Sequence, residues 1–244
     1  MKQKGTPQET TPDTPEAKAA ALLDALRARQ SETNRAGMVR YGINVARAYG
    51  VPVSRLRVLA RETGRDADTA RRLWASAIHE ARILACLIHD PAAVSPEELE
   101  AMVAAIDSWD LCDQFVNTLA RRTPVPRRTA RRWILAGPAF VKRAGLSLLA
   151  CLAVHDKTAD EETLEADLRA VAAVCADERR IVAKAASWVF RQIGKRNERL
   201  RRAALAQAAG VLDTAKGKAA FAARDAIAEL TRPDMAERVA GRAG

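Results

Sequence analysis

Ala85-Cys-Leu-Ile-His-Asp90 returns sixty-five residues later as Ala150-Cys-Leu-Ala-Val-His-Asp156. Each copy closes an apolar stretch of helical periodicity. The interval is about two units of roughly thirty residues, the spacing at which helical hairpins stack and share one core. Short helices with clear punctuation lie on both sides of the echo. The pattern predicts helices near 53–63, 67–76, 79–89, 96–106, 109–121, 126–135, 139–154, 161–175, 179–193, 197–209 and 216–230. Ser95-Pro-Glu-Glu98 is a capping box, and Asp13-Thr-Pro-Glu16 opens a further helix that runs to about Arg29. Between Arg35 and Pro52, glycines at 37, 42 and 50 predict a short helix mixed with loop.

No segment shows the sustained period-two alternation of Val, Ile, Thr and Tyr that marks a strand, so the chain reads as all-α. The 244 residues suffice for one large domain or an extended array. The expected architecture is a HEAT-type solenoid over 14–232, with alternate helices lining a concave basic groove; a compact helical bundle is the alternative. Residues 1–13 offer almost nothing to bury and read as a disordered tail, and 233–244 as a C-terminal tail.

Forty Lys and Arg stand against thirty Asp and Glu, a formal charge of +10, and the excess is clustered. Arg121 to Arg143 carries eight bases and no acid; Glu178 to Arg202 carries nine bases and two acids. Such clusters are the electrostatic footprint of a polyanion partner, although an arginine-heavy solvated surface would look alike. Cys86, Cys112, Cys151 and Cys175 lie apart with no C-x-x-C pair, which argues against a zinc site and a disulfide framework. The N-terminus lacks an apolar targeting core, and no apolar run reaches the roughly 18 residues that span a bilayer. A cytoplasmic protein with no membrane partner is the expectation.

Signatures of P-loop, dinucleotide-binding, zinc-protease and serine-hydrolase sites are absent. The two His-Asp pairs raise a metal phosphohydrolase, but both fall at helix ends, where histidine suits the dipole and aspartate starts the next turn. The sharper candidate is Asp107-Ser-Trp109-Asp-Leu-Cys-Asp113-Gln-Phe. Trp109 and Asp113, four residues apart, share a helix face, which sets a carboxylate beside an aromatic edge in a basic protein. Trp188 and Arg191 repeat the aromatic-polar spacing, and Arg143 opens the apolar run from Leu146. A core tryptophan and a solvated aspartate are the plainer reading of each.

Taken together, W-D-x-x-D at Trp109–Asp113, K-R-A at Lys142–Ala144 and A-x-x-W-x-x-R at Ala185–Arg191 resemble the bacterial DNA alkylation repair family, the AlkD-like HEAT-repeat DNA glycosylases. Gly42-Ile-Asn, Ile78-His-Glu-Ala-Arg-Ile-Leu-Ala, Cys151-Leu-Ala-Val-His-Asp-Lys and Arg191-Gln-Ile-Gly-Lys-Arg-Asn extend the resemblance over roughly Met38 to Thr231. It implies excision of cationic N3- or N7-alkylated purines from double-stranded DNA by a monomer without metal or cofactor. Carried over by position, Asp113 would be the catalytic carboxylate, with Trp109 and Trp188 lining the deoxyribose. Arg143, Arg191 and Lys142 would hold the DNA, and Tyr41 would line the groove. Ser108 stands where the family carries a second tryptophan, and Cys112 where it carries an aliphatic residue. A non-catalytic protein on the same scaffold that binds DNA structures is the alternative.

Overall fold

The computed structural model describes residues 14–241; the tail expected at 1–13 and the last three residues lie outside them. The described residues form fourteen α-helices, one 3₁₀ turn and no strand. They divide between Asp90 and Pro91 into two compact units, within the 14–232 stretch expected as one domain.

The first unit contains α1 (Pro15–Arg27), α2 (Glu32–Arg40), α3 (Val53–Thr63), α4 (Ala67–Ala75) and α5 (His79–Ile88). Its helices start where a short polar side chain can meet an orphan amide. Thr14 accepts from Ala17 N–H, Ser31 from Asn34 N–H and Asp66 from Thr69 N–H. α5 is the apolar centre, and α1, α3 and α4 all pack on it. Glu80, buried in α5, accepts the amides of Tyr49, Gly50 and Val51 at 2.9, 2.6 and 3.2 Å. That carboxylate supplies three acceptors to a loop that would otherwise bury unsatisfied donors.

The second unit runs through α6 (Pro96–Ala104), α7 (Trp109–Thr118), the 3₁₀ turn Ala120–Arg122, α8 (Pro126–Trp133), α9 (Ala139–His155) and α10 (Glu161–Ala172). It continues with α11 (Arg180–Gly194), α12 (Glu198–Thr214), α13 (Phe221–Leu230) and α14 (Pro233–Ala240). α7, α9, α11 and α13 form a row, each packed on the next; α8 backs α9, and α12 backs both α11 and α13. Neighbours in the row run parallel. Arg179 reaches Gly137 O near the start of α9, and Arg196 reaches Ala153 O near its end. Parallel neighbours of this kind are what stacked hairpins produce, so within this unit the solenoid reading prevails over the bundle.

Polar rungs tie successive hairpins on the backing side. Trp133 Nε1 donates to Glu100 of α6, Arg131 of α8 donates to Asp167 of α10 at 2.9 Å, and Arg199 of α12 to Glu165 of α10 at 3.0 Å. The helix-start reading at Ser95 holds, its hydroxyl accepting from Glu98 N–H at 3.1 Å. The segment 233–240, read as tail, forms α14 with Met235 and Val239 buried. Its apolar residues recur with helical spacing behind Pro233, a start signal that the reading missed.

The echo marks equivalent positions: Cys86 and Cys151 are buried in α5 and α9, and each copy ends its helix. The second copy is one residue longer. The first helix is capped at its histidine, His89, whereas the second includes His155 and is capped one residue later, at Asp156.

Candidate functional site

α7 begins at Trp109, behind the extended residue Ser108, whose buried hydroxyl donates to Asp110 Oδ1 at 2.9 Å. Asp110 in the first turn complements the helix dipole. One turn on, Asp113 faces α9, where Arg143 and Ser147 are themselves one turn apart. Arg143 Nη2 donates to both carboxylate oxygens, at 2.9 and 2.8 Å, and Ser147 Oγ donates to Oδ1 at 3.1 Å. The other end of the guanidinium, Nη1, donates to Ile181 O at the start of α11, at 2.8 Å. Arg143 thereby joins three consecutive helices of the row, and its Cζ lies 6.0 Å from the Trp109 ring centroid.

Arg143 is 6% exposed, whereas the Asp113 side chain keeps 27% of its surface. A carboxylate has about four lone-pair positions; three are taken here, which leaves one on Oδ2. Burial pushes the Asp113 carboxyl above its ordinary value, and the bonds from Arg143 and Ser147 offset part of the rise. Cys112 is buried next to it and its Sγ lies 3.9 Å from Phe140 O; burial raises its thiol pKa well out of the reactive range.

The structure thus brings Trp109, Asp113 and Arg143 together and adds Ser147, which sequence reasoning missed. The signal was available: Arg143 and Ser147 are spaced like Trp109 and Asp113. Trp188 is half-buried on α11, seven residues beyond Ile181 and so on the same face, about 10 Å along the axis. Arg191 is turned to α13, donating to Asp225 and Glu229, both at 3.1 Å. Lys142 pairs with Asp177 at 3.5 Å. Asp177 is held down to about 2, chiefly by Arg179. Tyr41, 76% exposed, ends α2 in the first unit.

The basic clusters of the sequence resolve into two kinds of residue. Arg127, Arg131, Arg132, Lys142, Arg143 and Arg179 are all paired with acids. Arg121, Arg122 and Lys157 have no acidic partner among the described residues, and they gather around His155 at the end of α9. Partial burial and the three cations together lower the His155 pKa. Arg121 donates to Asn117 O, so it continues the α7 stripe of Trp109, Asp113 and Asn117. A cationic edge therefore stands at one end of the two helices that carry the carboxylate.

Asp156 is occupied by Arg127, Thr158 and Ala159, and no three His, Cys, Asp or Glu side chains among the described residues are placed to hold an ion. The half-open carboxylate, the indole and the cationic edge lie within one region of the chain. That region falls inside a match to the family model for DNA alkylation repair enzymes, which covers residues 22–230.

The chain belongs to the DNA alkylation repair enzyme family. A solved structure with the same fold represents a family of proteins related to the HEAT-like repeat DNA glycosylases with affinity for branched DNA structures. Its TM-score is 0.71 at 18% identity, over 86% of this chain and 94% of that one. The helical-repeat fold expected from the echo is thus the fold of this family member. No curated protein sequence matches the chain significantly. Among the described residues no helix is long and apolar enough to cross a membrane.

Proposed function

We propose that this family member binds duplex DNA and hydrolyses the N-glycosidic bond of cationic N3- or N7-alkylated purines. The observation that most supports this is Asp113, a half-buried carboxylate beside an indole, held by Arg143 and Ser147 with one acceptor position still open. The alkylated purine is already cationic, so it departs with the bonding electrons as a neutral base. Positive charge then develops on the deoxyribose, as in glycoside hydrolysis. Asp113 opposes that charge; water bonds to the anomeric carbon and gives up its proton, which the open Oδ2 position can accept. Trp109 and Trp188 flank the sugar, and the faces of their rings favour the cation. Arg143 acts as a positioning residue, fixing the carboxylate. Arg121, Arg122 and Lys157 meet phosphates first, because the guanidinium groups of Arg143 and Arg191 are committed to acids.

A second reading, a binder of DNA structures without base release, is favoured by one feature. Arg143 neutralises Asp113 bidentately, which weakens the field it presents to a sugar cation. It also fits what is said of the structural neighbour.

Release of free base from duplex DNA containing N7-methylguanine separates the two. The native protein is expected to release base, and Asp113→Asn to lose at least about a hundredfold, the usual effect of removing one preorganised electrostatic partner. Melting and duplex affinity of the variant, measured alongside, distinguish lost chemistry from lost structure. Tight salt-sensitive binding by the native protein with no release would leave the binder.

A further inference from the structure

A cavity of about 600 Å³ opens between the start of α11, the 215–220 loop and the start of α13, away from Asp113. It is lined by Arg180, Lys218 and Arg224, by the ring of Phe221, by one acid, Glu178, and by Ala183 and Gly217. Gly217 turns the loop in the left-handed region at φ +56°, and its carbonyl accepts from Arg224. Arg180 and Lys218 have no acidic partner among the described residues. Three cations thus meet one anion in a concave site. Phe221 is half-buried, unlike the core rings of Phe115 and Phe190. An aromatic face with surrounding cations suits a planar base carrying phosphate.

We propose that this cavity binds an unpaired nucleotide of DNA, its base stacked on Phe221 and its phosphates held by Arg180, Lys218 and Arg224. The volume lies within the range of small-ligand sites and exceeds what a phosphate alone would occupy. The cavity adjoins the candidate site through α11: Arg180 lines it, and the next residue, Ile181, accepts from Arg143. A strand gripped there would be anchored two helices along the row from Asp113, with α9 between. The inference rests on the DNA-binding part of the proposed function and does not require base release.

The test compares, by fluorescence anisotropy at fixed salt, a blunt duplex and the same duplex bearing a three-nucleotide single-stranded flap, both without alkylated bases. Stacking of one base on an aromatic side chain implies a preference of roughly fivefold or more for the flap. Phe221→Leu keeps the apolar volume, and Lys218→Gln/Arg224→Gln alters exposed residues only. Each is expected to cut the preference below about twofold while leaving blunt-duplex affinity and melting temperature nearly unchanged. Millimolar deoxyadenosine monophosphate is expected to compete away the flap advantage alone. Equal native affinity for both DNAs, or variants that keep the full preference, would overturn the proposal while leaving duplex binding intact. Saturable nucleotide binding without any flap advantage would replace the strand by a free nucleotide. No binding to either DNA would remove the wider DNA-binding reading as well.

Discussion

Gly145 lies on α9 between Arg143 and Ser147, the two residues that hold Asp113, and it sets how closely α9 approaches α8. A Cβ added there would sit 2.6 Å from Ile134 N and 2.8 Å from Ala130 O, with the Ile134 Cγ2 methyl at 2.9 Å. Those two backbone atoms form the last-turn hydrogen bond of α8, at 3.0 Å, so neither can swing aside as a side chain would. Ordinary contact, roughly 3.5 Å, requires the helices to separate by about 0.9 Å. Alanine is the better helix former by about 1 kcal/mol. Overpacking a close backbone contact nevertheless costs roughly 1–3 kcal/mol, and rigid atoms on both sides place Gly145→Ala toward the upper end. The melting temperature is expected to fall by roughly 4–12 °C for a chain of this size. Gly210→Ala is the control, since Gly210 is also helical but has nothing within 4 Å of its Cβ position. It is expected to gain roughly 0.5–1 kcal/mol. Urea and thermal melts of the two variants therefore shift in opposite directions. On the proposed function, base release by Gly145→Ala falls further than its stability does, because displacement of α9 moves the carboxylate clamp, and about 1 Å can cost a hundredfold. A Gly145→Ala protein as stable as the native one, with Gly210→Ala stabilised as expected, would refute the close-approach argument.

Three other outcomes follow from the same geometry. Burial raises the Asp113 pKa, so the reactive carboxylate is lost as pH falls through a value above the usual aspartate range. The acid limb of the base-release profile should lie there, and in Arg143→Gln it should move higher still, which a pH–rate profile of both proteins checks. The linked effect on stability has the opposite sense: this group favours the fold below its unfolded pKa and loses that contribution as pH rises through the folded one. Asp167 is fully buried against Arg127 and Arg131. Asp167→Ala removes the buried acceptor shared by two arginines, but Arg127 keeps Asp156, and Arg131 is 42% exposed and keeps the Thr163 carbonyl, so a loss of roughly 1–2 kcal/mol in urea melts is expected, and a neutral result would show the pair to be dispensable. Replacing Arg121, Arg122 and Lys157 by Gln should make the slope of log affinity against log salt shallower by up to about 0.9 per lost phosphate contact. An unchanged slope would place the DNA elsewhere.

Much of the fold was legible because short polar residues and prolines punctuate the chain at the helix starts. The boundaries expected at 53–63 and 96–106 match α3 and α6 within two residues. Less legible were ends where no glycine or proline intervenes. α12 runs to Thr214, five residues past its expected end, because Gly210 is tolerated inside a packed helix. What the sequence offered of the candidate site was one helix face: Trp109 with Asp113 is a spacing argument, and the two lie one turn apart on α7. Which cations are free was not legible. Arg127 and Arg121 look alike in sequence, yet the first turns inward to Asp167 and the second toward His155. Their fates depend on an acid forty residues away for one and on none among the described residues for the other, a long-range fact that local composition does not carry.

The acid-arginine rungs of the second unit share one construction, and what distinguishes Asp113 is its setting. Asp225 accepts from Ser187 and Arg191 much as Asp113 accepts from Ser147 and Arg143. Asp167 accepts from two arginines. Asp167 has no exposed surface, so whatever its charge it can meet no ligand. Asp225 shares Arg191 with Glu229, which in turn pairs with Lys195. Asp225 is partly exposed and has Phe221 one turn before it, but of these three carboxylates Asp113 alone is held by a guanidinium that lies against an indole and is fixed at its far end by a backbone carbonyl, that of Ile181. That far-end anchor matters for the proposed chemistry. An arginine held at both ends cannot follow the carboxylate toward a sugar cation, so approach of that cation strengthens one interaction of Asp113 without loosening the other. A ladder built for stacking would then need only an opening on one rung to place a preorganised negative charge beside DNA.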